Sequence, residues 1–173
     1  TGTPSLTTSA VKSSGVGSYD IIASEGTLSS GNYSFSFEKG KLIIEKASVT
    51  ITADDKTRIY GGSNPLFTAS FNGFVNGDTL NVNGVTGQVS LTTPATTGSK
   101  VGTYPIVLSQ GSFATGNYTY VLKNGILNIE KAQVKVIADS KTKVYGDPMP
   151  ALTVSYVGLM NGESKETSDI TGA

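Results

Sequence analysis

Tyr33, Phe35 and Phe37 alternate with Ser34 and Ser36, a period of two that predicts a strand with one apolar face. Tyr118, Tyr120 and Leu122 present the same face later in the chain. Lys123-Asn124-Gly125 follows them. Asn-Gly between two alternating runs predicts a tight hairpin, because both residues tolerate positive φ. The return strand is expected from Ile126 to Glu130, and from Lys41 to Glu45 in the earlier copy. Other strands are expected over Ser48 to Ala53 (extending towards Tyr60), Leu66 to Phe71, Gln88 to Thr92, Thr103 to Leu108 and Asn117 to Leu122. Pro65 should end pairing ahead of the second of these, since it has no N–H for a ladder. Asn76-Gly77 predicts a turn, and Asp78-Thr79-Leu80 is expected to start one helical turn. No window carries a sustained 3.6-residue apolar stripe, so the expected class is mainly β.

The pattern recurs every 85 residues without a gap. Gly31-Asn32-Tyr33 returns as Gly116-Asn117-Tyr118, Glu45-Lys46-Ala47 as Glu130-Lys131-Ala132, and Tyr60-Gly61 as Tyr145-Gly146. A fixed period of this size denotes an array of one structural unit, and the expectation is tandem β modules in an elongated array. The phase of the unit follows from strand register. Leu127 and Ile129 are odd-numbered and apolar, whereas Val134, Val136 and Ala138 beyond them are even. Leu42 and Ile44 likewise give way to Val49, Ile51 and Ala53. A one-residue shift turns side chains to the opposite face, so Glu-Lys-Ala is read as a connector between modules, with a β-bulge as the competing account. The chain then comprises the C-terminal half of a repeat (1–47), a complete module (48–132) and the N-terminal half of another (133–173). A boundary near Thr86-Gly87 is the alternative phase.

Composition narrows the function. Thirteen basic and thirteen acidic residues cancel, and no basic stripe is present, so neither nucleic acid nor a membrane surface is an expected partner. No stretch approaches the ~20 apolar residues of a membrane-spanning helix. Thr1 is not an initiator and no signal peptide is visible, so a fragment of a longer chain is expected. The absence of His and Cys removes imidazole bases, thiol nucleophiles and His/Cys metal sites. Paired carboxylates remain the only catalytic option. The candidates Asp54, Asp55, Asp78, Asp139 and Glu163 lie in turn-like segments without Trp, and read as solvated loop charges rather than as an active site. The D-x-[DN]-x-[DN]-G calcium pattern is absent. Asp54-Asp55 is also reduced to Asp139-Ser140 in the matching repeat, which argues against a shared ion site. No enzyme activity, metal or cofactor is expected.

Tyr60-Gly61-x3-Pro65, Gly73-Phe74-x-Asn76-Gly77-Asp78, Val101-Gly102-Thr103-Tyr104-Pro105-Ile106, Gly116-Asn117-Tyr118 and Gly125-Ile126-Leu127-x-Ile129 together resemble the MBG repeat of the YGX type. Tyr145-Gly146-x3-Pro150 with Gly158-Leu159-x-Asn161-Gly162-Glu163 fits a second start. Val16-Gly17-Ser18-Tyr19 with Gly31-Asn32-Tyr33 fits an earlier finish. Asp20 in place of Pro and Glu163 in place of Asp are mild departures. The resemblance implies a β-grasp-like module related to mucin-binding repeats, with an Ig-like β-sandwich as the alternative, and brings no catalytic residues. It implies a stalk or spacer in a large secreted or cell-surface bacterial protein, extracellular in location. The alternative is an adhesin module that binds a host glycan or surface protein through avidity, with Tyr60 and Tyr145 as its candidate contacts. The expected partners are neighbouring repeats, and the half-repeats at the two ends predict head-to-tail self-association of this fragment or else partly disordered ends.

Overall fold

The computed structural model describes residues 2–81 and 85–171. Twelve strands occur among them and no helix. In chain order they are β1 (Ser5–Thr8), β2 (Gly17–Ser24), β3 (Gly40–Ile44), β4 (Ala47–Ala53), β5 (Lys56–Ile59) and β6 (Ala69–Asn72). These are followed by β7 (Ser90–Thr92), β8 (Gly102–Ser109), β9 (Tyr118–Lys123), β10 (Gly125–Glu130), β11 (Lys135–Ala138) and β12 (Val154–Val157). Contacts divide the chain into two compact units, and the strands of 48–132 are shared between them.

The first unit holds Thr1–Thr52, Ser70–Ser90 and Ser109–Lys123. It contains an antiparallel sheet of order β1-β2-β3 and a sheet of order β6-β4-β9. Strands β4 and β9 run parallel, with Ala47 opposite Tyr118 and Thr52 opposite Lys123. Period-two alternation places Val49, Ile51 and Tyr118 on the covered face, where each is at most 2% exposed. An aromatic cluster fills the core. Phe71 lies 5.9 Å from Phe113, Phe74 meets Tyr118 edge-on at 5.4 Å, and Phe113 meets Tyr120 edge-on at 5.5 Å. These separations are favourable for ring quadrupoles.

The second unit holds Ala53–Ala69, Leu91–Leu108 and Asn124–Ala173. Its main sheet has the order β5-β10-β8-β7. Strand β10 is central, antiparallel to β8 and parallel to β5, with Leu127 opposite Lys56 and Glu130 opposite Ile59. Its core is Ile106, Leu108, Leu127 and Ile129. Arg58 is also buried and donates to Asn64 Oδ1, the Ile59 carbonyl and the Thr96 carbonyl. Desolvating a guanidinium is tolerable because its donors are satisfied. Strands β11 and β12 form a separate antiparallel pair.

Several expectations change. Lys123-Asn124-Gly125 is not a hairpin, because β9 and β10 belong to different sheets. Neither Asn124 nor Gly125 has positive φ. Asn124 instead accepts the Leu108 N–H with its side chain, and a Cβ on Gly125 would stand 2.5 Å from the Ala53 carbonyl oxygen. The glycine therefore serves close backbone approach rather than turn handedness. The second expected strand begins only at Ala69, leaving Leu66 exposed just after Pro65. No helical turn forms at Asp78-Thr79-Leu80, where a turn closes from the Asp78 N–H to the Val75 carbonyl. The Tyr33-Phe35-Phe37 segment is not a strand either. Among the described residues no strand pairs with it, whereas its repeat equivalent β9 lies against β4.

Equivalent positions consequently differ in burial. Tyr118 is 2% exposed and Tyr33 77%; Ile51 is 0% exposed and Val136 56%. Truncating Ile51 to Ala should destabilise the chain by about 2–5 kcal/mol through lost transfer energy and the cavity left behind. Val136→Ala in dilute solution should change stability by no more than about 0.5 kcal/mol. Urea denaturation of the two variants checks the contrast.

Candidate functional site

Two Asn-Gly turns present the most chemically furnished surfaces. Asn76 and Gly77 have φ of 55° and 77°, and Asn161 and Gly162 have 54° and 72°. Successive positive φ is the type I′ geometry that Asn-Gly favours. Each turn is closed at 3.0 Å, by Asp78 N–H to the Val75 carbonyl and by Glu163 N–H to the Met160 carbonyl. The residue after each glycine is thus a carboxylate, and each carboxylate receives a tyrosine hydroxyl.

In the first unit Tyr118 Oη donates to Asp78, and the Val75 N–H donates to the same hydroxyl at 3.2 Å. Nearby, Asn117 Oδ1 accepts the Val16 N–H at 3.1 Å. These groups border an open cleft of about 380 Å³ that also reaches Lys12, Glu45 and Ala47. In the second unit Tyr60 Oη donates to Glu163. Gly61 lies so close to Met160 that a Cβ there would stand 2.4 Å from the methionine Cβ. The cleft beside this pair is about 570 Å³ and is bordered by Val101, Ala132 and Met160. Val16 and Val101, Ala47 and Ala132, and Val75 and Met160 are repeat equivalents, so the two clefts occupy the same place in the period.

Both tyrosines ionise above the ordinary value of 10.0. Burial is the main cause for Tyr118, followed by its bond to Asp78. For Tyr60 the bond to Glu163 comes first. A tyrosine held protonated beside a carboxylate is a hydrogen-bond donor, not a base poised near neutrality.

The remaining candidate carboxylates are fastened to the backbone fold. Asp54 accepts from Thr68 Oγ1, and its N–H donates to the Thr68 carbonyl at 2.8 Å. Asp139 repeats this with Thr153, and Ser155 adds a second hydroxyl. Those two hydroxyls, Ser155 first, hold the Asp139 carboxyl below its ordinary value. Asp55 accepts the Ile126 N–H at 2.7 Å. Among the described residues no three acidic groups come together as a metal site would need. Tyr145 is fully exposed, unlike its equivalent Tyr60. The tyrosine–carboxylate pairs were not legible from local motifs. The signal that could have found them is the turn carboxylate kept as Asp78 and Glu163 across the period.

The same recurrence governs smaller features. Tyr19 Oη donates to the Gly15 carbonyl at 2.9 Å, and Tyr104 Oη to the Lys100 carbonyl at 3.0 Å. Thr3 and Gln88 donate their N–H groups to the hydroxyls of Thr27 and Ser112.

The sequence model of the family described as MBG domain (YGX type) matches residues 1–43, 49–128 and 134–173. No curated protein and no solved structure matches the chain.

A raised folded-state pKa means that the unfolded chain loses the Tyr118 proton first. The stability this contributes is complete below pH 10 and falls as pH rises through the folded value. Tyr118→Phe should remove part of that alkaline slope. At neutral pH it should cost about 1–3 kcal/mol by leaving Asp78 short of a donor. Denaturation midpoints followed from neutral pH into the alkaline range measure both.

Proposed function

The chain belongs to the MBG domain (YGX type) family, a structural type of repeat domain, and from that premise we propose that it is a force-bearing spacer. It holds a more distal part of a large secreted protein away from a bacterial cell surface. The observation that carries this reading is the direction of pairing at the two ends of the central repeat. Its opening strands β4 and β5 each run parallel to one of its closing strands, β9 and β10. Tension that enters at Ala47 and leaves at Glu130 pulls parallel neighbours in opposite directions along their own axes. Hydrogen bonds across such a ladder are loaded together in shear, not opened one at a time from an end. A module of this kind resists extension without needing disulfides, which suits a chain with no cysteine.

Repeat boundaries at Glu45-Lys46-Ala47 and Glu130-Lys131-Ala132 are part of the reading. Strands β3 and β4, and likewise β10 and β11, lie in different sheets on either side of these segments. The chain works without catalysis: the five candidate carboxylates are each held by a hydroxyl or a backbone N–H. Adhesion through glycans or a surface protein is the second reading, and the exposed ring of Tyr145 is what favours it.

Pulling the chain by its termini should give one dominant rupture from the 85-residue central repeat. It should release about 30 nm at ~3.6 Å per residue. Smooth extension at low force would exclude a load-bearing role. Loss of glycan or surface-protein binding in a Tyr145→Ala chain would move the assignment to adhesion.

A further inference from the structure

Two side-chain hydrogen bonds span more than one 85-residue period, so each joins two repeats wherever the repeat boundary is drawn. Tyr60 Oη donates to Glu163, 103 residues on, and Asn117 Oδ1 accepts the Val16 N–H from 101 residues back. The first bond lies within the second compact unit and the other within the first. The Tyr118–Asp78 bond spans only 40 residues and stays inside the repeat 48–132.

The backbone explains why these two residues are the ones that reach across. Strand β5 runs parallel to β10 with Ile59 opposite Glu130, so both strands finish at the same end of their sheet. Tyr60 follows there, and its N–H bonds the carbonyl of Glu130, the first residue of the connector Glu130-Lys131-Ala132, at 2.8 Å. Gly61 then turns with φ of 77° and comes so near the following repeat that a Cβ would stand 2.4 Å from the Met160 Cβ. Glycine admits both that conformation and that approach. In the other unit β4 and β9 are parallel, with Ala47 opposite Tyr118. Asn117 stands just before Tyr118, and its carbonyl accepts the N–H of Ala47, the last residue of the connector Glu45-Lys46-Ala47, at 3.1 Å. A Cβ on Gly15 would lie 3.2 Å from Asn117 Oδ1. Tyr60 and Asn117 thus each hold a connector with the main chain and the adjoining repeat with the side chain.

We propose that Tyr60 and Asn117 are clasps that fix each repeat against its neighbour, making the joints of the array stiff interfaces rather than flexible linkers. The partner each fits is the adjoining repeat of the same chain. A connector attached at one point lets neighbours swivel; a second attachment beyond it removes that freedom. The parts of both clasps recur with the period: Tyr60-Gly61 as Tyr145-Gly146, Glu163 as Asp78, Asn117 as Asn32 and Val16 as Val101. A stiff joint keeps a tandem array extended, and in that use the inference rests on the spacer reading.

Pairs of spin labels placed across each joint of the 173-residue chain test this, and the absence of cysteine leaves the choice of positions free. Thr7→Cys with Lys123→Cys spans the first joint, and Thr103→Cys with Lys135→Cys the second; all four are exposed strand positions. Each pair should give a single narrow distance distribution. Tyr60→Phe keeps the ring and removes the hydroxyl, and should broaden the second pair while leaving the first unchanged. Asn117→Ala should broaden the first and leave the second. General unfolding would not produce that selectivity. Broad distributions in the chain that carries labels alone overturn the proposal, and so do variants that leave both pairs narrow or broaden both. Rupture force reports the strength of the central repeat itself. Strong rupture with mobile joints would therefore remove the clasps and leave the spacer reading standing, whereas narrow pairs with weak rupture would sustain the clasps and remove the spacer.

Discussion

Parallel pairing between the strands that open and close the central repeat is the constraint on which the rest depends. Strand β4 cannot bury Val49 and Ile51 unless β9 arrives beside it some seventy residues later in the chain. Strand β10 likewise depends on β5. Contacts of such separation are costly in loop-closure entropy, and parallel strands cannot be joined by a short turn. The intervening segments therefore have to cross between sheets. This is why the backbone between β9 and β10 changes sheet at Asn124-Gly125 instead of folding back as a hairpin. Where both partners are present the side chains are buried, Phe113 in the first unit and Ile106 and Leu127 in the second. Where one is absent, identical sequence positions stay open.

The polar residues act around this frame. Segments are pinned by threonine hydroxyls that donate to carboxylates within one repeat, as Thr68 does to Asp54 and Thr153 to Asp139. Tyrosine hydroxyls close on the turn carboxylates, Tyr118 from β9 on Asp78 and Tyr60, just past β5, on Glu163. Because the Asp54–Thr68 bond recurs with the period as Asp139–Thr153, these carboxylates are better understood as fasteners of a repeated unit. The geometry gives each of the five candidate carboxylates a hydrogen-bond donor.

Much of this was legible in the sequence, and the failures have definable causes. The β class, the period and the approximate extents of β4, β7, β8, β9 and β10 follow from alternation and from turn residues, but the expected extension of β4 towards Tyr60 is a separate strand, β5, in another sheet. The Asn-Gly signal is local and could not tell its two outcomes apart. At Asn76-Gly77 it gives a type I′ turn, whereas at Asn124-Gly125 the close approach of the Ala53 carbonyl decides the backbone instead. Alternation in Tyr33, Phe35 and Phe37 states a preference for strand, but a strand also needs a partner, and pairing is not a property of the segment itself. The tyrosine–carboxylate contacts link residues 40 and 103 positions apart, beyond any local pattern.

Amide hydrogen exchange on dilute chain, read residue by residue, tests the central claim most directly. Shared parallel ladders predict that amides of Ala47–Ala53 and Gly125–Glu130 are the slowest to exchange, and that those of 33–38 and 141–144 exchange rapidly despite their matching sequences. Equal protection at both sets of equivalent positions would contradict it, since burial would then follow the repeat sequence alone and not the presence of a parallel partner.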